Sequence, residues 1–323
     1  MRLEIRVPDW ARSVYSDLTD MHRAPHPVDA GKVARFTLEL PDDVRFEYAF
    51  VDGDGRVRAD PDRGANGANP WYPEVTEVRG PAYRPHPLAD PPASEPAWRV
   101  RRHKLASRAS GGDRRVTVVS PPDVAGPLPV VVLHDGVAYQ RLARAADVLA
   151  ELVRQGRGRP AHLAFLEPGD RQVEYAWDER HVRFVHDEVR PLVAEHHATG
   201  AGWWALGASL GGLAAATLAL HAPEDWTGIV AQGGAFLGTP DDRRHHGTDA
   251  SWLADRLEGG AGAHLRWVLD VGRLDWLHPV NQRVRDALAD HGADVAFAER
   301  SAGHNWGCWR DGLADALTIA LRP

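Results

Sequence analysis

The stretch WWALGASLGGLAAATLALHAP, residues 203–223, places Ser209 between two glycines, Gly207 and Gly211. An apolar run precedes this serine and an alanine-rich run follows it. A strand that ends in Gly-x-Ser-x-Gly and turns at once into a helix forms a nucleophile elbow, in which the serine adopts a strained turn and the glycines relieve crowding. We therefore predict that the Ser209 hydroxyl projects above the carboxyl ends of the strands, where open α/β sheets bind ligands. The alternative is an ordinary glycine-rich loop without a catalytic role.

Strands alternate with helices on both sides of this stretch. One of the strands, LPVVVLHDG at 128–136, contains a continuous apolar run typical of a strand buried on both faces. The alternation predicts an α/β fold with a mostly parallel, doubly wound sheet. The predicted strands cover residues 113–123, 128–136, 161–168, 202–209, 227–236, 265–272 and 294–301.

The N-terminal residues have a different pattern. Short β-like runs separated by turn signals lead to a proline-rich segment, and the sequence DGDG at 52–55 predicts a hairpin. Proline-rich segments of this kind are typical of semi-rigid linkers. We predict an all-β sandwich over residues 1–90, a linker over 91–98 and a catalytic α/β domain over 99–323.

The composition limits the classes of function. The 323 residues carry a net charge of −7, which argues against a nucleic-acid-binding surface. A single cysteine, Cys308, excludes an intrachain disulfide and a cysteine-rich metal site. No apolar run reaches the roughly 18 residues needed to cross a bilayer, and the N-terminal sequence lacks a signal-peptide pattern. We expect a cytoplasmic protein without a nucleic-acid or membrane partner. We also expect no metal or organic cofactor. The oligomeric state is open.

A serine hydroxyl needs a base before it can act as a nucleophile. Among the 17 histidines, His304 lies in ERSAGHNWGCW, residues 299–309, directly after a predicted strand and before the last predicted helix. Its loop is therefore expected to open at the same sheet edge as Ser209. The order serine, acid, histidine along the chain is that of the α/β-hydrolase arrangement, so we predict His304 as the base.

The acid of such a triad is expected after the strand that precedes the histidine. Asp275 lies just past the strand at 265–272, where a carboxylate can reach an imidazole and hold its tautomer. We predict Asp275 as this acid. Asp270, inside the strand, and Asp311 are the alternatives.

Acyl transfer also needs N–H donors aimed at the developing oxyanion. The residue after the nucleophile, Leu210, supplies one donor at the start of the predicted helix. The loop LHDGV at 133–137 follows an early strand, and we predict the Val137 N–H as the second donor, with Gly136 beside it as a substrate contact. The alternative for this loop is a tight Asp-Gly turn without a catalytic role.

Taken together, these motifs resemble those of the esterase D group of α/β-hydrolases, and within it the enterochelin (ferric enterobactin) esterases. The resemblance spans residues 99–323, and the N-terminal segment YAFVDGDGRVRADP resembles the immunoglobulin-like module that precedes the hydrolase in those enzymes. It implies an α/β-hydrolase domain after a small early-set sandwich. The hydrolase segments that carry it are RRVTVVSPPD, LHDG, EPGDRQVEYAWDERHVRFVHDEVRPLV, GASLGG, VLDVGRLD and AGHNWGCWRDGL.

The resemblance implies a serine esterase that acts through an acyl-enzyme on a small-molecule ester. The favoured substrate is a siderophore trilactone or its ferric complex. Arg171, in the DRQVEY element, is implied to orient the substrate or to brace the site; a buried Arg171–Glu174 pair is the alternative.

Other functions stay open at this point. They are a general carboxylesterase for small acyl esters, an acyltransferase, and a non-catalytic protein that binds a glycan or another ligand. The acidic net charge departs from what an anionic iron complex requires, and only a local patch from Arg171, Arg141 or Arg273 could compensate. In some members of the family the triad acid is displaced or dispensable, and this bears on the assignment of Asp275 as the acid.

Overall fold

The structure, a computed structural model, describes residues 1–323 apart from 20–25, 29–34, 68, 70, 71, 96, 123, 125, 245 and 246. The described chain forms two compact units. The late segments that carry Asp275 and His304 group with the N-terminal residues. Position 96 of the predicted linker lies outside the described residues, and the predicted domain bounds stay a prediction. The first unit comprises Met1–Pro85, Val271–His278 and Glu299–Trp309, and the second comprises His86–Asp270, Pro279–Ala298 and Arg310–Pro323.

The N-terminal part of the first unit consists of antiparallel strands in two sheets. One sheet pairs β1 with β4, and the other has the order β3-β2-β5-β6, with β7 also paired to β5. Leu3 and Ile5 alternate with exposed residues along β1 and point into a core with the aromatic residues of β5. The strands are β1 (Arg2–Arg6), β2 (Ser13–Ser16), β3 (His26–Pro27), β4 (Arg35–Glu39), β5 (Arg45–Val51), β6 (Val57–Arg58) and β7 (Thr76–Arg79).

The hairpin predicted at 52–55 is confirmed. Val51 pairs with Val57 across it. Asp52 Oδ1 accepts the N–H groups of Asp54 and Arg56, both at 2.9 Å, and Gly55 has a φ of 78°, which favours glycine. An aspartate that binds its own turn and a glycine with positive φ are the reasons why this sequence turns here.

An eight-stranded sheet dominates the rest of the fold. Its order is β8-β9-β11-β10-β12-β13-β14-β15; β8, β9 and β11 pair antiparallel, and the pairs from β11 through β10, β12 and β13 to β14 are parallel. Parallel strands with helical crossovers are the predicted α/β architecture. The strands are β8 (Arg99–Ala106), β9 (Asp113–Ser120), β10 (Leu128–Leu133), β11 (His162–Leu166), β12 (Thr199–Ala208), β13 (Gly228–Gln232), β14 (Arg266–Gly272) and β15 (Val295–Arg300).

Helices occupy most of the connections between these strands. The connection between β10 and β11 contains two helices, because Arg144 adopts a left-handed φ of 48° between them. The chain continues from α4 to α5 through a π-helical segment, Phe184–Val189. The helices are α1 (Gly136–Arg141), α2 (Ala145–Arg154), α3 (Arg171–Glu174), α4 (Glu179–Arg183), α5 (Arg190–His196), α6 (Leu210–His221), α7 (Trp252–Glu258), α8 (His278–Asp290) and α9 (Trp306–Ala320).

The helix α6 is buried on nearly all sides. Apart from the terminal His221 its residues are small or apolar, and nine of its twelve residues are buried, as expected of a helix in the centre of a large domain. Outside the positions that the structure leaves undescribed, no helix is both long and apolar enough to cross a membrane.

Candidate active site

Ser209 joins β12 to α6 in a backbone conformation that residues with side chains rarely adopt. Its φ is 55° and its ψ is −122°, a conformation that costs about 1–3 kcal/mol. Hydrogen bonds hold it in place: the Ser209 N–H donates to the Gln232 carbonyl at 2.9 Å, and the Ser209 carbonyl accepts from Gly212, Leu213 and Ala235. Ser209 is partly exposed, at the junction of the strand and the helix.

The glycines of the elbow are required by close backbone approach. A Cβ at Gly207 would lie 2.2 Å from the backbone carbon and oxygen of Gly211, closer than any real contact. A Cβ at Gly212 would lie 3.2 Å from the Ala231 side chain. The strand and the helix therefore cross at a distance that only glycine permits, as the sequence pattern predicts.

The Leu210 N–H, the first predicted oxyanion donor, opens α6. Among the residues that the structure describes, it has no hydrogen-bond acceptor. The start of a helix carries a partial positive charge and unsatisfied N–H groups. This position suits an oxygen that becomes negative during reaction.

The Val137 N–H, the second predicted donor, is engaged by a side chain. It donates to the carboxylate of Glu167, and burial raises the pKa of Glu167. Gly136 lies against β11, where a Cβ would come within 2.7 Å of the Phe165 Cβ. A substrate oxygen can accept a hydrogen bond from the Val137 N–H only when the Glu167 carboxylate has moved away.

Arg171 forms a bidentate ion pair with Asp135. Its Nε and Nη2 lie 2.8 Å from the two carboxylate oxygens, and Nη2 also donates to the Ala208 carbonyl at 3.3 Å. Glu174, the partner weighed for Arg171 from the sequence, pairs with Arg114. Arg171 thus ties the loop after β10 to the residue that precedes Ser209.

Two buried histidines lie beneath the elbow. His134 Nδ1 donates to the Leu206 carbonyl at 3.1 Å, which makes Nε2 the acceptor of the His181 Nε2–H at 3.1 Å. Burial lowers the pKa of His134 to about 4 and lowers that of His181 as well. Both rings are therefore neutral at pH 7 and act as packing groups that support Gly211, whose Cβ position is 3.2 Å from the His134 Cβ.

In the first unit, His304 is oriented by Asp275. His304 Nδ1 lies 2.7 Å from Asp275 Oδ2, and the other carboxylate oxygen accepts the Leu277 N–H at 2.8 Å. The Asp275 side chain is 1% exposed and that of His304 16%. With Nδ1–H donated to the carboxylate, the lone pair resides on Nε2, which is the tautomer that a general base needs. The ring edge-packs on Trp309, with centroids 5.1 Å apart.

The structure brings some of the predicted site residues together. It pairs Asp275 with His304, and it places Asp270, an alternative acid, against Gln232 at 2.9 Å. Ser209 belongs to the second unit and His304 to the first, and their pairing stays a prediction. In the described part of the chain, no group of three or more His, Cys, Asp or Glu is arranged to hold a metal ion.

Sequence reasoning missed two carboxylates. Asp135 receives no role of its own from the sequence, although its left-handed φ of 52° and its buried position show that it is a structural element of the site. Glu167 directly follows β11 at the carboxyl end of the sheet. That placement after a strand was the available signal for both residues.

The strand order and the elbow define an α/β-hydrolase. The family described as "Putative esterase" matches residues 107–319, and the chain belongs to this esterase family. The chain is 26% identical over 242 residues to the iron(III) enterobactin esterase of Escherichia coli (strain K12), covering 72% of this chain and 58% of that protein. It is 23% identical over 226 residues to the iron(III) salmochelin esterase of Escherichia coli O6:H1, covering 65% and 55%. The chain thus spans little more than half the length of these curated relatives.

Solved structures show the same fold. The enterochelin esterase of Shigella flexneri superposes with a TM-score of 0.77 at 23% identity, covering 100% of this chain and 92% of that one. These comparisons confirm the predicted fold class and the predicted resemblance to the enterochelin esterases.

Replacement of Gly207 by alanine is expected to disrupt the elbow. The added Cβ collides with backbone, which cannot move without displacing α6, so we expect Gly207→Ala to lose at least about 2 kcal/mol of stability and the elbow conformation of Ser209. Urea unfolding and labelling of Ser209 by a fluorophosphonate measure these losses. Gly158→Ala is the control, because its Cβ would meet its nearest neighbour at 3.5 Å. Wild-type labelling of Gly207→Ala would contradict the close-crossing geometry.

The buried histidine pair is expected to make the protein sensitive to acid. Unfolded histidine has a pKa near 6.5 and folded His134 one of about 4, so between these values the unfolded state binds more protons. The free energy of unfolding should fall as the pH drops from 6.5 to 4, by something on the order of 2–3 kcal/mol. Urea unfolding across this range tests it. His181→Gln keeps a hydrogen-bond donor for His134, and its free energy of unfolding should fall less between pH 6.5 and 4 than that of the wild type. The control His264→Gln, at an exposed position, should show the pH dependence of the wild type. Identical pH dependence in all three proteins would contradict the assignment.

Proposed function

We propose that this protein is a serine esterase that hydrolyses the ester bonds of a siderophore trilactone or its ferric complex. The observation that carries the proposal is the strained Ser209 at the start of α6. Membership of the esterase family and the names of the enterobactin and salmochelin esterases support the reaction and the substrate class. A solved structure of the Shigella flexneri enterobactin esterase in the presence of enterobactin, with a TM-score of 0.76 at 22% identity over 99% of this chain and 92% of that one, has this fold.

In the proposed reaction, the Ser209 oxygen attacks the ester carbonyl carbon while His304 Nε2 accepts the hydroxyl proton. Asp275 holds the imidazole in the required tautomer and stabilises the imidazolium that forms. The carbonyl oxygen becomes an oxyanion, for which the Leu210 N–H is one donor.

Collapse of the tetrahedral intermediate breaks the bond to the alcohol oxygen. That oxygen leaves with the proton from His304, and Ser209 remains acylated. Water then attacks the acyl-enzyme, with His304 again as base, and releases the acid and the free serine. The same acyl-enzyme would serve transfer to another alcohol.

A second candidate is hydrolysis of small uncharged acyl esters. The observation that favours it is the charge of the site: Asp135 pairs with Arg171 through both carboxylate oxygens, and the whole chain has a net charge of −7. The ion pair with Asp135 neutralises the charge of Arg171, so Arg171 attracts an anionic iron complex less than an unpaired arginine would.

Hydrolysis of ferric enterobactin and of p-nitrophenyl acetate by wild type and Ser209→Ala tests both candidates. We expect the wild type to cleave both esters and Ser209→Ala to lose at least about 10³-fold in kcat on each, because the nucleophile is gone. Ser110→Ala, in the turn between β8 and β9, is the control and should match the wild type. Cleavage of the simple ester alone would support the second candidate, and full activity of Ser209→Ala would overturn the assignment of the nucleophile.

Removal of the Glu167 carboxylate is expected to accelerate hydrolysis. The Glu167 carboxylate accepts the hydrogen bond of the Val137 N–H. If this N–H is an oxyanion donor, the carboxylate also lies next to the oxygen that becomes negative in the reaction. We expect Glu167→Ala to raise kcat/KM for p-nitrophenyl acetate about threefold to tenfold, a fraction of what one oxyanion donor contributes. The exposed Glu195→Ala is the control. An unchanged or lower rate for Glu167→Ala would show that Val137 is not a donor in the rate-limiting step.

A further inference from the structure

The loop that carries His304 is bound by Asp17, a residue of the N-terminal strands in the same unit. The His304 N–H donates to the Asp17 carbonyl at 2.8 Å. The next residue, Asn305, donates its side-chain N–H to Asp17 Oδ2 at 2.5 Å. Two successive residues of the loop are therefore fixed by the backbone and the side chain of one aspartate.

Asp17 is itself rigidly held. It directly follows β2, its N–H donates to the Glu47 carbonyl at 3.0 Å, and its Oδ2 accepts the Glu47 N–H at 2.9 Å. Its side chain is fully buried. Burial raises the pKa of Asp17, and the neighbouring Glu47 raises it further. Its role as a hydrogen-bond acceptor therefore does not depend on a negative charge.

A second residue of the sandwich holds the start of the same loop. The Arg45 N–H donates to the Ser301 carbonyl at 2.8 Å, and Arg45 forms a parallel bridge with Ala302. The Arg45 guanidinium is buried and binds the Glu77 carboxylate through Nε at 2.8 Å and through Nη2 at 2.5 Å. The residues on both sides of His304 are thus fixed to strands at the other end of the sequence.

Two glycines around His304 are explained by these contacts. A Cβ at Gly303 would lie 2.5 Å from the Asp17 carboxyl carbon, and one at Gly307 would lie 2.0 Å from the Arg45 guanidinium carbon. The loop AGHNWG, residues 302–307, therefore packs closely against Asp17 and Arg45, and glycine is required at both contact points. Such close fitting is the arrangement expected where a loop must hold one position.

We propose that Asp17 and Arg45 are positioning residues for the ester hydrolysis, and that the N-terminal sandwich sets the position of the His304 imidazole through the backbone of its loop. This inference rests on the proposed role of His304 as the base. Asp275 fixes the rotation of the ring, whereas Asp17 fixes the peptide from which the ring projects. A displacement of about 1 Å at a catalytic group can cost about 10²-fold in rate.

The kinetics of Asp17 variants on p-nitrophenyl acetate test this proposal. We expect Asp17→Ala to lower kcat by about 10- to 100-fold with KM within about twofold, because the base is misplaced while the binding pocket is unaltered. Asp17→Asn should restore kcat to within about threefold of wild type, since its side-chain oxygen can accept the same two hydrogen bonds. Unchanged kcat in Asp17→Ala would overturn the proposal.

A matched control separates positioning from general loss of stability. Asp60 is an equally buried carboxylate of the same sandwich, bound to the Tyr48 hydroxyl and the Asp62 N–H. Asp60→Ala should lower the melting temperature and leave kcat unchanged. If Asp60→Ala lowers kcat as much as Asp17→Ala does, the effect of Asp17 is a general loss of stability and the positioning role is wrong.

Combination with His304→Ala supplies a further readout. If Asp17 acts through His304, Asp17→Ala should change the residual rate of His304→Ala by less than about twofold, a strong departure from additivity. Additive losses would contradict the proposal. If Asp17→Ala does not fold, Asn305→Ser tests the same contact from the loop side. It replaces the amide N–H that reaches Asp17 Oδ2 with a shorter hydroxyl, whose oxygen can still cap α9, as Asn305 Oδ1 does for the Cys308 N–H at 2.8 Å. It should lower kcat as Asp17→Ala does, and an unchanged kcat would overturn the proposal.

The downfield NMR signal of the His304 Nδ1–H, in protein with ¹⁵N-labelled histidine, reports the position of the ring without any turnover. It should be present in wild type and Asp17→Asn and shifted or broadened in Asp17→Ala. An unaltered signal in Asp17→Ala would reject the positioning role. Failure of the wild type to hydrolyse esters or to react with a fluorophosphonate would instead reject the proposed function, whatever the spectra show.

Discussion

The close crossing of β12 and α6 at Gly207 is the constraint on which the candidate site depends. No Cβ fits at this position, because the backbone of Gly211 lies where it would be. The crossing forces Ser209 into a φ of 55°, which places its hydroxyl at the helix start instead of in the core. The Ser209 N–H donates to the Gln232 carbonyl and the Ser209 carbonyl accepts from the Ala235 N–H, and these hydrogen bonds keep the strained turn from relaxing.

The predicted functional side chains of each unit are held by partners that are themselves tied to backbone. Asp275 binds His304 through one oxygen and the Leu277 N–H through the other, so neither side chain can rotate alone. Arg171 binds Asp135 and the Ala208 carbonyl in the same manner. Groups that are fixed before reaction need no reorganisation when charge develops, which is the physical basis of electrostatic preorganisation. The contacts of Asp17 extend this principle from side chains to the peptide of His304.

Much of the fold and part of the site could be predicted from the sequence, because those signals are local. The glycines of the elbow lie within five positions of one another, and Asp275 lies three positions past the end of β14. The missed contacts are long-range: Arg171 and Asp135 are 36 residues apart, Val137 and Glu167 are 30 apart. No periodicity or motif connects such pairs. The prediction of Val137 as an oxyanion donor illustrates this limit: Val137 follows β10, at the start of α1, but its carboxylate partner Glu167 could not be seen from the sequence.

The sequence by itself determined the order of strands and helices, the elbow around Ser209, and the place of Asp275 and His304 after late strands. Apolar periodicity and the conformational freedom of glycine act over a few residues, so a single chain displays them directly. Only the tertiary structure decided what holds the His304 loop, because Asp17 and Asn305 are 288 residues apart. A hydrogen bond depends on the path of the backbone through space, and a buried donor takes whichever acceptor that path brings within reach.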